Sequence, residues 1–314
     1  MTNPSGLLQR LRLRHVVFGA LLIAGIIPLA VSSVLLIWQN REIIEQQERE
    51  QLVRAASAVS RQVDDHLLDL REDAEQLGIG ALTLGSAAGD GMQEYLQQFQ
   101  RAHDEELVAL RLLSLDGQGP TLVVSELPEE IRTTLRQAYE EARDGGEPVH
   151  RFVVLPETRE PAVVLAVPVS RGGAQPELVV ELLSRMRLVE AVFSREAQGE
   201  VEVLLLGQGR LLWSEGASPE SLEAWTTGFL GRMGSLPVNL VTEYRLPTSG
   251  EWMFAQVSPV RESGWVVVVQ KPMAAAFTAV DQMIFNSVLS SVILVGLALL
   301  LSLLAARRVS RPIQ

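Results

Sequence analysis

"RLLSLDGQGPTLVVSELPEEIRTTL" (residues 111–135) and "VEVLLLGQGRLLWSEGASPESLEAW" (residues 201–225) read as two copies of one pattern. In each, an apolar, β-prone run ends at a Gly-Gln-Gly turn. A second apolar run follows, and a proline then opens a carboxylate-bearing helical stretch. Gly117-Gln118-Gly119 and Gly207-Gln208-Gly209 stand 90 positions apart; Pro128 and Pro219 stand 91 apart, as do Pro168 and Pro259. The parallel continues from "LAVPVSRGGAQPELVVELLSRMRLVEAV" (165–192) to "AQVSPVRESGWVVVVQKPMAAAFTAV" (255–280). Anchors at nearly one offset outweigh the low identity of the strings. Each copy reads strand, turn, strand, helix, then three strands and an exit helix.

In the first copy the strand-like runs are 107–115, 121–125, 149–155, 162–169 and 177–183. Asp116-Gly117, Gly145-Gly146 and Gly172-Gly173 punctuate them as turns. Between the second and third runs lies "LPEEIRTTLRQAYEEARDGG" (127–146). Its boundaries carry helix signals: Pro128 and two early glutamates at the start, Gly145 at the end.

Upstream of the repeat, residues 39–77 contain no glycine or proline. Leu52, Ala56, Val59, Val63, Leu67, Leu70, Ala74 and Leu77 recur at spacings of three and four, the stripe of an amphipathic helix. About 38 residues of helix extend roughly 57 Å. The stripe packs on its own domain, pairs with a second copy as a coiled coil, or does both, with the stretch nearest the membrane pairing and the rest packing.

Two uncharged apolar runs of 23 residues, Val16–Trp38 and Ile284–Ala306, enclose this region. A bilayer crossing takes roughly 20 apolar residues. Arg10, Arg12 and Arg14 precede the first run, and Arg307 and Arg308 follow the second. Short arginine-rich flanks mark the cytoplasmic side, so both termini are expected inside and residues 39–283 outside. The competing reading of the first run is a cleaved signal peptide with Ala30-Val31-Ser32 at the cleavage site. The run continues through Val34–Ile37, beyond the usual apolar core of such a peptide, and this favours an uncleaved anchor.

The chain carries 38 acidic and 27 basic residues. Three basic residues lie in each flanking zone and no acid does, so the middle holds 21 − 38 = −17. That acidity could suit a cationic ligand, though it more often reflects solubility; no nucleic-acid partner is expected. There is no cysteine. An exported domain without disulfides relies on its core, and its 245 residues suffice for one.

A long helix leaving the membrane, two PAS-like α/β modules and a second membrane helix together resemble the double Cache sensor domain of bacterial receptors. The resemblance covers roughly 39–283 and rests on element order, the repeat, and phrases such as "LAVPVSRGG" and "SPVRESGWVVVVQKP". It implies an α+β fold: two modules with antiparallel sheets on a long N-terminal helix, flanked by two transmembrane helices. The expected division is a cytoplasmic N-terminus (1–15), a first span (16–38), the long helix (39–79), a membrane-distal module (80–196), a membrane-proximal module (197–283), a second span (284–306) and a linker (307–314). The last stretch, "ARRVSRPIQ", resembles the start of a HAMP linker. Arg308 and Pro312 fall at its signal-bearing positions, and proline suits an early helical position because its missing N–H has no partner there. A generic positively charged flank is the alternative. On the HAMP reading the chain is the sensing half of a longer, homodimeric receptor of the bacterial inner membrane, with a histidine kinase as the leading output. A chemoreceptor, diguanylate cyclase or phosphatase module suits the same front end.

No catalytic centre is legible. HExxH, the Gly-x-Ser-x-Gly elbow and the glycine-rich phosphate loop are all missing, and no cofactor or metal is expected. His66 lies among Asp64, Asp65, Asp69 and Glu72 and reads as part of a solvated helix face; His103 reads as surface. An anchored exported enzyme or envelope scaffold is the runner-up, but it leaves the HAMP-like tail unexplained.

The family habit places a small-molecule ligand in the distal module. Candidate contacts there are Arg111, which interrupts an apolar strand, Tyr139 late on the helix, and His150 and Phe152, which share a strand face under period-two alternation. The amino-acid-binding version of the family carries aromatic residues near an Arg-x-Trp pair and a later Asp; the distal module has no tryptophan, which argues against a standard amino-acid ligand. The proximal copy looks drier: "VEVLLLGQ" (201–208) and "GWVVVVQ" (264–270) carry no buried-looking cation until Lys271.

Overall fold

The computed structural model describes the backbone of residues 5–310 except 85–88, 104–105, 124–126, 173–174, 197–200, 208, 226–240 and 248. Side chains of most of 1–40 and of 301–314 lie outside the described set. The chain forms two units, residues 51–272 and the two flanking segments, 1–50 with 273–314.

Helix α1 runs from Ser5 to Leu84 and α2 from Gly89 to Ala102. The first sheet follows as β1 (Leu107–Ser114), β2 (Thr121–Val123), α3 (Glu129–Gly145), β3 (Val149–Val154), β4 (Pro161–Val169) and β5 (Leu178–Arg185). Helix α4 (Arg187–Glu196) leads to the second: β6 (Glu202–Gly207), β7 (Arg210–Glu215), α5 (Pro219–Glu223), β8 (Val241–Arg245), β9 (Trp252–Pro259) and β10 (Val266–Pro272). Helix α6 (Met273–Ser310) closes the described chain. The strand orders are β2-β1-β5-β4-β3 and β7-β6-β10-β9-β8, and every pairing is antiparallel. The two sheets have one topology, as the sequence repeat requires.

The expected stripe on α1 is buried from Leu52 through Leu77, and Ala81 extends it. The opposite face carries Arg54, Arg61, Asp65, Asp69, Glu72 and Gln76, all exposed. Over residues 51–81, therefore, the apolar face packs on the chain's own sheets. Three polar contacts tie α1 to the β9–β10 turn. The Ser60 hydroxyl donates to the Pro259 carbonyl at 2.5 Å, the Glu262 N–H donates to Asp64 at 2.9 Å, and Arg71 pairs with Glu262 at 2.6 Å. Farther along, Gly78 lies against the distal sheet. A Cβ there would stand 2.7 Å from Val169 and 2.9 Å from Val180. Glycine costs about 1 kcal/mol in a helix interior, and the close approach gives the reason for it.

Both faces of the distal sheet are covered, which is why β4 reads as an unbroken apolar run. Side chains alternate, save at the register shift near Leu107–Ala109 where Val108 joins the same core. Ala109, Leu113, Val164, Val179 and Leu183 pack in one core with Ile131, Leu135, Ala138 and Tyr139 of α3. Residues of opposite parity, including Val169 and Val180, face α1. Helix α3 begins after Pro128 with Glu129 and Glu130 in its first turn. It ends on Gly146 at φ 67°, whose N–H donates to the Ala142 carbonyl, the left-handed cap that glycine supplies.

Among the described residues no helix is long and apolar enough to cross a membrane. Most side chains of the first apolar run, and those of 301–306 in the second, lie outside that set. Arg308 falls on α6 with its side chain undescribed, and Pro312 lies outside the described residues.

Candidate functional site

The sequence singles out Arg111 because a cation interrupts an apolar strand, and its partner lies one strand away. Arg111 pairs across the sheet with Glu181 of β5, Nη1 to Oε2 at 2.9 Å. Both have the parity of the α3-facing core. Arg111 is partly exposed, whereas Glu181 is fully buried. Neither Glu181 oxygen has an aligned hydrogen bond among the described residues, so the contact is an ion pair. Burial pushes the carboxyl up to about 7, against the pull of the guanidinium. A carboxylate held this way gains from a second donor or cation. Period-two reading of "ELVVELL" (177–183) puts Glu181 on the same face as Val179, but a lone glutamate in a strand gives no signal of depth.

The other candidates do not join this pair. Tyr139 belongs to the core under α3, and its hydroxyl donates to the Ser114 carbonyl at 2.7 Å, tying α3 to the β1–β2 turn. His150 and Phe152 do share one face of β3, as period two requires, but it is the face away from α3. His150 is buried with Nε2 unpartnered among the described residues. Burial, and then the charge of Arg71, bring its imidazole down to about 4. Phe152 packs against the second module: its ring lies 5.9 Å from Trp265, edge to face, and 6.5 Å from Trp213. Gly207 makes room for that cluster, since a Cβ there would stand 2.7 Å from Trp265 and 2.8 Å from Leu212. The four candidates thus divide between the α3 face of the distal sheet, with Arg111 and Tyr139, and the opposite face, with His150 and Phe152.

An open groove of about 910 Å³ lies beside Phe152. Its walls are Glu130, Ile131, Thr134 and Gln137 of α3, Arg151–Val154 of β3, and Arg210–Leu212 of β7. Arg151 is engaged by Glu141 of α3.

Two expectations need correction. The proximal module is not dry. Trp225 donates its indole N–H to the Gln270 Oε1 at 2.5 Å, the Tyr244 hydroxyl donates to the same oxygen at 2.8 Å, and the Gln270 amide donates to Glu202 at 2.6 Å. Burial raises the Tyr244 phenol. Glu202 and Gln270 sit near strand ends, where sequence alone suggests solvent. The histidines on the distal side also lie deeper than expected. His66 is buried, and its imidazole is lowered by burial against the opposing pull of Glu106 and Asp69. His103 is half-buried, 3.0 Å from Asp73. Among the described residues no three His, Cys, Asp or Glu side chains gather at a metal-ligand spacing.

No protein-family model matches the sequence, and no curated protein does. Solved structures do. The ligand-binding domain of the Campylobacter jejuni chemoreceptor Tlp3, in complex with L-norvaline, is 9% identical; the match covers 75% of this chain and 94% of that one at a TM-score of 0.54. The ligand-binding domain of the Pseudomonas aeruginosa amino-acid chemoreceptor PctB, with L-Arg, is 20% identical over 74% and 98% at 0.54. That of the Pseudomonas fluorescens chemoreceptor CtaA, with L-isoleucine, is 14% identical over 76% and 96% at 0.53. At these identities the likeness is one of fold: two sheet modules on one long helix, the double Cache-type arrangement of extracytoplasmic sensory domains.

Proposed function

We propose that this chain, with the double Cache-type fold of chemoreceptor sensory domains, is the sensing half of a two-pass, homodimeric receptor of the bacterial inner membrane. Residues 39–283 lie outside, the distal module (80–196) takes a small ligand, and the proximal module (197–283) passes the change to a second span at 284–306. A HAMP-like linker carrying Arg308 and Pro312 then leads to a cytoplasmic output, a histidine kinase in the first instance.

The observation that carries the ligand reading is the Arg111–Glu181 pair on the α3 face of the distal sheet. A fully buried carboxylate with a single partner among the described residues favours a ligand that brings an ammonium, and the partly exposed Arg111 suits a carboxylate on the same ligand. The solved neighbours were crystallised with amino acids. Tyr139 closes one end of this surface and contributes through packing. Binding shifts a balance of dimer arrangements only by its differential affinity for them.

The full chain in nanodiscs should be screened by thermal shift against amino acids, diamines and dicarboxylates. A ligand at 100 times its Kd is expected to add about 2.7 kcal/mol, and Arg111→Ala and Glu181→Gln should each remove that gain. If both variants keep the gain while substitutions within 202–272 abolish it, the distal assignment is wrong. Topology is tested separately. A reporter active only outside the cytoplasm should work when fused at Gly145 and stay silent when fused after Gln314. Activity at both positions would remove the second span.

A further inference from the structure

The groove beside Phe152 is bounded by two sheet edges. β3 is the last strand of the distal sheet and β7 the last strand of the proximal one. The register fixes which β3 groups are free. Leu155 donates to the Glu160 carbonyl, and Val153, Arg151 and Val149 oppose Ala162, Val164 and Ala166. Antiparallel pairing alternates, so Val153, Arg151 and Val149 bond to β4, as Leu155 does to Glu160 just before it, and the N–H and C=O of His150, Phe152 and Val154 point outward. No other hydrogen bond reaches these groups among the described residues. They recur every second residue, about 6.6 Å apart, a spacing that another extended backbone matches.

Edge strands are ordinarily blunted by lysine, proline, a bulge or brevity. β2, at the far edge of the same sheet, has three residues among the described ones. β3 has six residues, with neither lysine nor proline. α3 lies on one side of it and β7 on the other, and together they line the groove. β7 is bulged: Leu205 pairs Trp213 and Leu206 pairs Leu211, which leaves Leu212 as the extra residue facing the groove. A bulge interrupts pairing and re-aims side chains.

Charge on the two walls is opposite. Glu130 lies on the α3 wall and Arg210 on the β7 wall, and Arg210 is exposed and has no ion-pair partner among the described residues. Side chains of an added strand alternate between these walls. We propose that β3 takes an extended segment of a partner protein as a sixth strand, with basic side chains toward Glu130 and an acidic one toward Arg210. Main-chain bonds supply affinity and the alternating charges supply selectivity, as in strand addition to other exposed sheet edges. The proposal is independent of the Arg111–Glu181 site, and either can fail alone.

Hydrogen exchange on the full chain in nanodiscs tests it, with the peptide acetyl-TVKEKVT-amide as probe. Exchange at residues 150–154 is expected to slow by at least about tenfold at saturating peptide. The charge-swapped acetyl-TVEKEVT-amide should bind more weakly, and Arg210→Glu should narrow that preference. A TVKEKVT peptide N-methylated at alternate residues, which lacks the facing donors, should give no protection. Three results would overturn the proposal. One is unchanged exchange with every peptide. Another is equal protection by the N-methylated peptide, which assigns the groove to side-chain binding. The third is protection that rises with protein concentration alone, which assigns the edge to a second copy of this chain.

Discussion

Arg111→Met is expected to destabilise the protein by about 3 kcal/mol at pH 8, because removing one partner of a buried ion pair strands the other charge. Glu181 is that other charge, fully buried 2.9 Å from Arg111. The loss should shrink markedly at pH 5.5. Burial raises the carboxyl from its ordinary 4.5 to about 7, so the folded protein protonates it where the unfolded chain does not. This contribution is fully present below pH 4.5 and is lost as pH rises through 7, at about 1.4 kcal/mol per pH unit. His150 acts in the opposite sense. Its imidazole falls from 6.5 to about 4, so its contribution is present above pH 6.5 and is lost as pH falls through 4. Between pH 4.5 and 6.5 the two slopes oppose, with His66 adding to the histidine side. Glu181→Gln is therefore expected to steepen the loss of stability on acidification relative to the parent protein. Urea unfolding at several pH values reads both effects. An Arg111→Met cost that is the same at pH 5.5 and pH 8 would show that Glu181 carries no such charge.

Phe152→Ala is the second large effect. Truncating a buried phenylalanine costs about 3–5 kcal/mol, while a change that conserves most of the volume costs less than about 1.5. Phe152 is 6% exposed and touches Trp265, itself 1% exposed. Phe152→Ala should therefore lose about 3 kcal/mol in urea unfolding, and tryptophan emission should shift to the red as water reaches Trp265 and Trp213. Phe152→Leu should keep most of the stability. A Phe152→Ala variant with parent-like stability and emission would mean that the two modules do not pack through this ring in solution.

Phe152 also shows where sequence reading reached its limit. Period two correctly placed it on one face with His150, because side-chain direction in a strand is a local property. What the face meets is not local. The indoles that receive Phe152 come from residues 61 and 113 positions away. Tyr139 repeats the lesson, since helical spacing puts it with Leu135 and Ala142, but only the folded turn brings the Ser114 carbonyl to its hydroxyl.

By itself the sequence determined whatever is written in short-range periodicity. The long α1 stripe, the boundaries of α3 at Pro128 and Gly145, the strands and the repeated order of both sheets were all legible. Each follows from backbone preference and from the need to bury one face. Only the tertiary structure decided depth and partnership. It buried Glu181 and paired it with Arg111, linked Glu202, Gln270, Tyr244 and Trp225 in one network, and left the edge of β3 free beside β7. Desolvation and pairing depend on which surfaces meet, and residues distant in the chain set that.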